Sequence, residues 1–251
     1  MCIFSGPVAE VAGTKIFARG SAQGNQFLVY SMRYAAADAL AMILPLPTPA
    51  HPPEDALRFV DFSGYGEFFD DLDNCFAKTR SRDFGAEEPS GSLLTVYSVG
   101  SFEASFVPHR QDFARLDSRF RLPDSTWDTL PQYADYSFAV FKLKPGAQSV
   151  HPMAFEFPRC HPDQLFFPTL HIHQGVVEES AHFDHALYWQ ATYTREQRIH
   201  IHGSRSADYR VTKMVDIARA QGVVAQDTPL YRLHLSGMYE NGDLTIPEGG
   251  V

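Results

Sequence analysis

Apolar residues along this chain arrive in short runs separated by glycine, proline and small polar positions. Runs at 14–18 (Thr-Lys-Ile-Phe-Ala), 26–30 (Gln-Phe-Leu-Val-Tyr) and 39–44 (Ala-Leu-Ala-Met-Ile-Leu) are too short for stable helices and are bounded by turn-forming residues. They predict β-strands. Further runs at 93–99, 102–107, 136–143, 153–157, 165–173 and 186–193 predict more strands. Gly100-Ser101 is a two-residue junction suited to a hairpin, and Lys144-Pro145-Gly146 suits a turn.

A second pattern has helical spacing. Between 66 and 76, Phe68, Phe69, Leu72, Cys75 and Phe76 share one stripe, while Glu67, Asp70, Asp71 and Asp73 lie largely outside it. This predicts an amphipathic helix with Cys75 in the core. A short helix is predicted over 112–120. A longer one is predicted over 207–221, where Val211, Met214, Val215 and Ala218 line one side and Gly222 supplies the stop. The stretch 83–92 reads as a loop, and Pro45, Pro47, Pro49, Pro52 and Pro53 form a connector over 45–53. Together these elements predict an α+β fold, a mostly antiparallel sheet with several short helices, in one domain spanning 1–251. A partly open β-barrel is one closure such a sheet allows.

Composition narrows the class without naming a function. With 251 residues, 44% of them hydrophobic and 20 of them Phe, the chain can bury a continuous aromatic core, which excludes a disordered chain. Three cysteines without metal-type spacing argue against a disulfide framework. The formal charge of −9 disfavours general nucleic-acid binding, and 54–73 holds seven acids against the single base Arg58. No apolar run is long enough to cross a bilayer, and the start has no basic and apolar leader; the reading is cytoplasmic, with no membrane attachment.

Histidine directs attention to the C-terminal portion, since nine of the eleven lie at or after position 151. In a strand through 165–173, His171 and His173 project to one face. A turn at Gln174-Gly175 then returns Glu178 toward them, with His185 as fourth ligand and Asp184 and His182 in supporting positions. Such a set suits one divalent ion, Zn²⁺, Fe²⁺ or Mn²⁺. The leading expectation is a metal- or small-ligand-binding protein, extending to metal-assisted hydrolase or oxygenase chemistry on a small-molecule or peptide ligand. The alternatives are a non-enzymatic interaction or assembly module, in which the histidines form a paired polar network, and an N-terminal-cysteine amide hydrolase. In the last, removal of Met1 exposes Cys2 as nucleophile with the terminal amine as base, and Arg19 binds a substrate carboxylate. His200 and His202, with Arg195, Arg198, Arg205 and Arg210, suggest a weaker anionic-ligand surface.

His171-x-His173-(four residues)-Glu178 resembles part of the first metal motif of cupins. That resemblance implies metal-ligand roles for the three residues in a small barrel; the motif's flanking glycines are replaced by Leu165 and His185. The Met1-Cys2 start is similar to N-terminal-nucleophile hydrolases, without the Asn or Asp context after Arg19. The segments 1–8, 151–158 and 165–173 together resemble a bacterial family that carries no assigned activity, which implies one family unit and a bacterial source.

Overall fold

The computed structural model describes residues 3–76, 97–98, 103–172, 176–206 and 210–249. Its first sheet runs in the order β1 (Ile3–Phe4), β4 (Leu40–Leu46), β8 (Ser137–Leu143) and β7 (Glu103–Val107), every pair antiparallel. The second sheet has a main path of β13 (Ser204–Arg205), β14 (Leu230–Glu240), β12 (Ser180–Gln190), β2 (Glu10–Gly20), β3 (Asn25–Ala36), β10 (Met153–Pro158) and β5 (Arg58–Val60). Beyond β10, the long β3 also pairs with β9 (Gly146–Ser149), which in turn pairs with β6 (Tyr97–Ser98). Two pairs in this sheet are parallel, β12 with β2 and β6 with β9. A separate ribbon joins β11 (Gln164–Phe167) to β15 (Leu244–Pro247). The helices are short: α1 (Phe68–Asn74), α2 (Asp124–Asp128), α3 (Arg195–Ile199) and α4 (Arg210–Met214).

Alternation along the strands explains the layering. Leu28, Tyr30 and Met32 of β3 face a central core, as do Met42 and Leu44 of β4 and Phe141 of β8. Phe27 and Val29, on the other face of β3, meet Phe68, Phe69 and Leu72 of α1 and Val211 of α4. Ile43 and Phe138, on the other face of the first sheet, meet Phe113, Trp127 and Tyr133 from the short helical turns. Each central strand is therefore buried on both faces, which is why it reads as an unbroken apolar run. Burying one Phe in such a layer contributes roughly 1.5–3 kcal/mol.

The fold is α+β, with mixed, mostly antiparallel sheets and several short helices, and among the described residues the sheets do not close into a barrel. The barrel expected from the cupin resemblance is thereby overturned. Other differences are local. The run 165–173 is strand only to Phe167, because the next backbone N–H groups are taken by side chains: Asp243 accepts from Thr169 and Leu170, and Asn241 from His171. Tyr97–Ser98 pairs with β9 and Glu103–Val107 with β8, so these strands do not form the expected hairpin; its turn at Gly100-Ser101 lies outside the described residues, as does the 83–92 loop. The long helix expected over 207–221 is confined, among the described residues, to α4. Past it the Asp216 N–H donates to the Tyr65 hydroxyl at 2.9 Å, and Gln221 and Gly222 adopt positive φ. The first part of the proline-rich stretch, 45–48, is buried: Pro45 sits in β4, and the hydroxyls of Thr48 and Ser137 meet at 2.6 Å.

Candidate functional site

Two of the four expected metal ligands do come together. His185, on the core-facing side of β12, and His171, on the segment after β11, are both buried, with ring centroids 5.1 Å apart. Phe183 fills the space beside them, stacked on His171 at 4.4 Å and tilted against His185 at 4.9 Å. Tyr239 of β14 closes the cluster edge-on to Phe183 at 5.6 Å. Burial, reinforced by the neighbouring His171, holds the His185 imidazole far below the usual histidine range, so His185 is neutral near pH 7.

The turn between β14 and β15 positions this cluster. Asn241 Oδ1 accepts the His171 N–H at 2.7 Å, and Asn241 Nδ2 donates to the carbonyls of His171 and Glu178, both at 2.9 Å. Asp243 accepts from the backbone N–H groups of Thr169 at 2.9 Å and Leu170 at 3.0 Å, and from the Tyr133 hydroxyl. Burial raises the Asp243 carboxyl from 3.8 to about 6, even though these donors pull it down. Desolvation thus outweighs three hydrogen bonds. Asn241-Gly242-Asp243 is a turn signature visible in the sequence, but its partners lie about seventy residues away.

The remaining expected ligands go elsewhere. His182 and Asp184 alternate with Phe183 and His185 along β12 and are exposed on the opposite face, where Asp184 accepts the Gly13 N–H at 2.6 Å. Glu178 is exposed. His173 and Cys2 lie outside the described residues. Among the described residues, no group of three or more His, Cys, Asp and Glu side chains is disposed to hold a metal ion. The physical reason is visible in the cluster itself, where an aromatic ring stands beside the two imidazoles.

Two other sequence candidates, Arg19 and Cys75, are held in structural contacts. Arg19 donates to the carbonyl of Val223 at 2.7 Å and to that of Gly222, and its guanidinium lies over the Phe27 ring, so it clamps a turn onto β2. Cys75 is buried, and burial, then the Asp71 charge, pushes its thiol up to about 12, which makes it an inert core residue. The α3 segment carries Arg195 and Arg198 exposed.

A cavity of about 730 Å³ that sequence reading missed opens among the short helical turns outside the first sheet. Phe113 and Trp127 form apolar lining, His51 and His109 meet edge to face at 5.2 Å, and Arg110, Asp124 and Asp135 add both signs of charge. All of its lining but His51 comes from 109–135, where short turns rather than a periodic element bring the residues together, so no local motif announces it. His51 holds a positive φ of 55°, an uncommon backbone state outside glycine.

No family model matches the chain. Its fold is similar to that of baculovirus P35: the crystal structure of that protein aligns with a TM-score of 0.54 at 13% identity, covering 99% of this chain and 100% of P35. A mutated baculovirus P35 after caspase cleavage aligns at the same TM-score and identity, covering 94% of this chain and 99% of that one. The likeness is to a non-cupin fold. It corrects the resemblances to cupins and to a bacterial family, and the metal-centred reading of the histidines is withdrawn with them.

Proposed function

We propose that this chain is a non-enzymatic interaction module whose partner is a caspase-type protease. The observation that carries the reading is the fold likeness to P35, which runs over nearly the whole length of both chains. One of the similar structures is a P35 described as cleaved by a caspase, so this architecture is compatible with presenting a segment to such an enzyme. The packed aromatic surroundings of His171 and His185 agree with a structural rather than a chemical role for the histidines. Cytoplasmic residence belongs to the same proposal.

The test is direct. The full chain is titrated into a panel of purified caspases, with an unrelated cysteine protease as control, while residual activity on a fluorogenic peptide and the intact mass of the chain are followed. Stoichiometric loss of caspase activity, or a single clip with the fragments remaining associated, is expected. Undiminished activity at tenfold molar excess of an uncut chain overturns the proposal.

A further inference from the structure

Among the described residues, the second sheet ends on an edge that is longer and less covered than its opposite border. The Ser206 N–H donates to the Leu230 carbonyl, so Leu230 turns its backbone groups toward β13. By the two-residue period of a strand, Arg232, His234, Ser236, Met238 and Glu240 aim their N–H and C=O groups the same way. Among the described residues, β13 and the adjoining Ser206 cover this side only opposite Leu230, Tyr231 and Arg232. Among the described residues, no strand pairs with β14 beyond that point on its outer side, whereas its inner side pairs with β12 through to Glu240.

Proteins ordinarily blunt such an edge with Lys, Pro or a covering segment. Residues 233–240, Leu-His-Leu-Ser-Gly-Met-Tyr-Glu, contain no Lys, Arg or Pro. Two large apolar side chains here are exposed instead, Met238 at 64% and Tyr239 at 42%. The sheet's opposite border, β5, is only three residues long and carries Arg58.

We propose that two copies of this chain pair antiparallel through the outer edge of β14, with the two-fold axis at Gly237, joining their sheets into one. The register follows from backbone parity, with a polar pair at its ends. An antiparallel ladder needs outward-facing residues opposite each other, and centring on Gly237 lets all four free positions pair: His234 with Glu240 and Ser236 with Met238, each twice by symmetry. The same register sets Leu235 beside Tyr239 on the other face and opposes the imidazole of one copy to the carboxylate of the other. Gly237, at φ 120° and with open space for 4 Å around the place a Cβ would take, leaves room at the axis. A one-residue slip places inward-facing backbone groups against outward-facing ones and loses the ladder.

The interface is a narrow strip between two chains of formal charge −9, so the affinity belongs in the micromolar range and rises with added salt. Sedimentation velocity of the full chain from about 1 to about 100 μM spans that range. The expected result is a concentration-dependent shift from 28.1 kDa toward twice that mass. Ser236→Pro removes an outward N–H without touching the β12 ladder, and Met238→Lys adds charge beside the axis; each, with a native circular dichroism spectrum, is expected to remain monomeric at the top concentration. Glu240→Lys weakens pairing several-fold, and adding His234→Glu restores it. A wild-type chain monomeric throughout, or a dimer unchanged in folded Ser236→Pro and Met238→Lys, overturns the proposal.

Discussion

The carboxylate of Glu248 occupies the space that a side chain on Gly20 would need, and from there it pairs with the buried guanidinium of Arg159 at 2.6 Å. Arg159 also donates to the carbonyls of Gly24 at 3.0 Å and Gln164 at 2.8 Å, so a single buried cation ties the β2–β3 turn, the start of β11 and the end of β15 together. The absent side chain at position 20 is what makes this junction possible.

Gly20→Ala therefore pushes the Glu248 carboxylate aside and weakens its pair with Arg159. Because the displaced group is the end of a flexible side chain and Arg159 keeps its two carbonyl acceptors, the cost is about 1–2 kcal/mol. Urea unfolding is expected to show that loss. Gly66→Ala, where a Cβ meets nothing within 4 Å, is expected to stay within about 0.5 kcal/mol of wild type.

Asp243 makes stability fall as pH rises. Its carboxyl titrates at about 6 in the folded protein against an ordinary 3.8, so between these values the folded state holds a proton that the unfolded state has released. The protonated form favours folding; its contribution is full below about pH 4 and is lost as pH climbs through 6, by about 2–3 kcal/mol. Asp243→Asn keeps an acceptor for the Thr169 and Leu170 N–H groups and is expected to remove that slope, read as the difference between the two proteins' unfolding free energies from pH 4 to 7.

His185 acts with the opposite sign. Its folded value lies far below 6.5, so on acidification the unfolded state gains a proton that the folded state refuses, and stability is lost as pH falls below about 6.5. His185→Phe is expected to flatten this limb, whose slope for a single group reaches about 1.4 kcal/mol per pH unit. Guanidinium unfolding at pH 5.0, 6.0 and 7.0 distinguishes the two variants.

His171→Ala removes a ring stacked on Phe183 and leaves a cavity, at a cost of about 2–3 kcal/mol. If the cluster is held by packing, that cost is the same with and without a chelator, and thermal unfolding in EDTA measures it. A chelator effect present in wild type and absent in His171→Ala would contradict the packing account.

Much of the fold was legible because two-sided burial writes itself into a run of apolar residues. The strands around Ile16-Phe17, Phe27-Leu28-Val29 and Phe138-Ala139-Val140 were found for that reason, and α1 was found because its one buried stripe repeats with the helical period. β14 was missed for the opposite reason: from Leu233 onward it is half-exposed, interrupted by Gly237 and, among the described residues, paired on one side alone. The candidate site was legible only as composition. His171 and His185 meet, but the metal set around them dissolves when β12 turns Asp184 and His182 to its other face.

The sequence by itself determined the strand-rich α+β class, the helix at Phe68–Asn74 and the place of Cys75 in the core, because these depend on residues close together in the chain. Tertiary structure alone decided that the strand after Gln164 stops at Phe167, that a phenylalanine stands beside two histidines, and that the sheets stay open. The first of those outcomes depends on Asn241 and Asp243, some seventy residues away, whose hydrogen bonds compete with local strand pairing and win because a buried N–H must be satisfied by whichever acceptor the fold brings near.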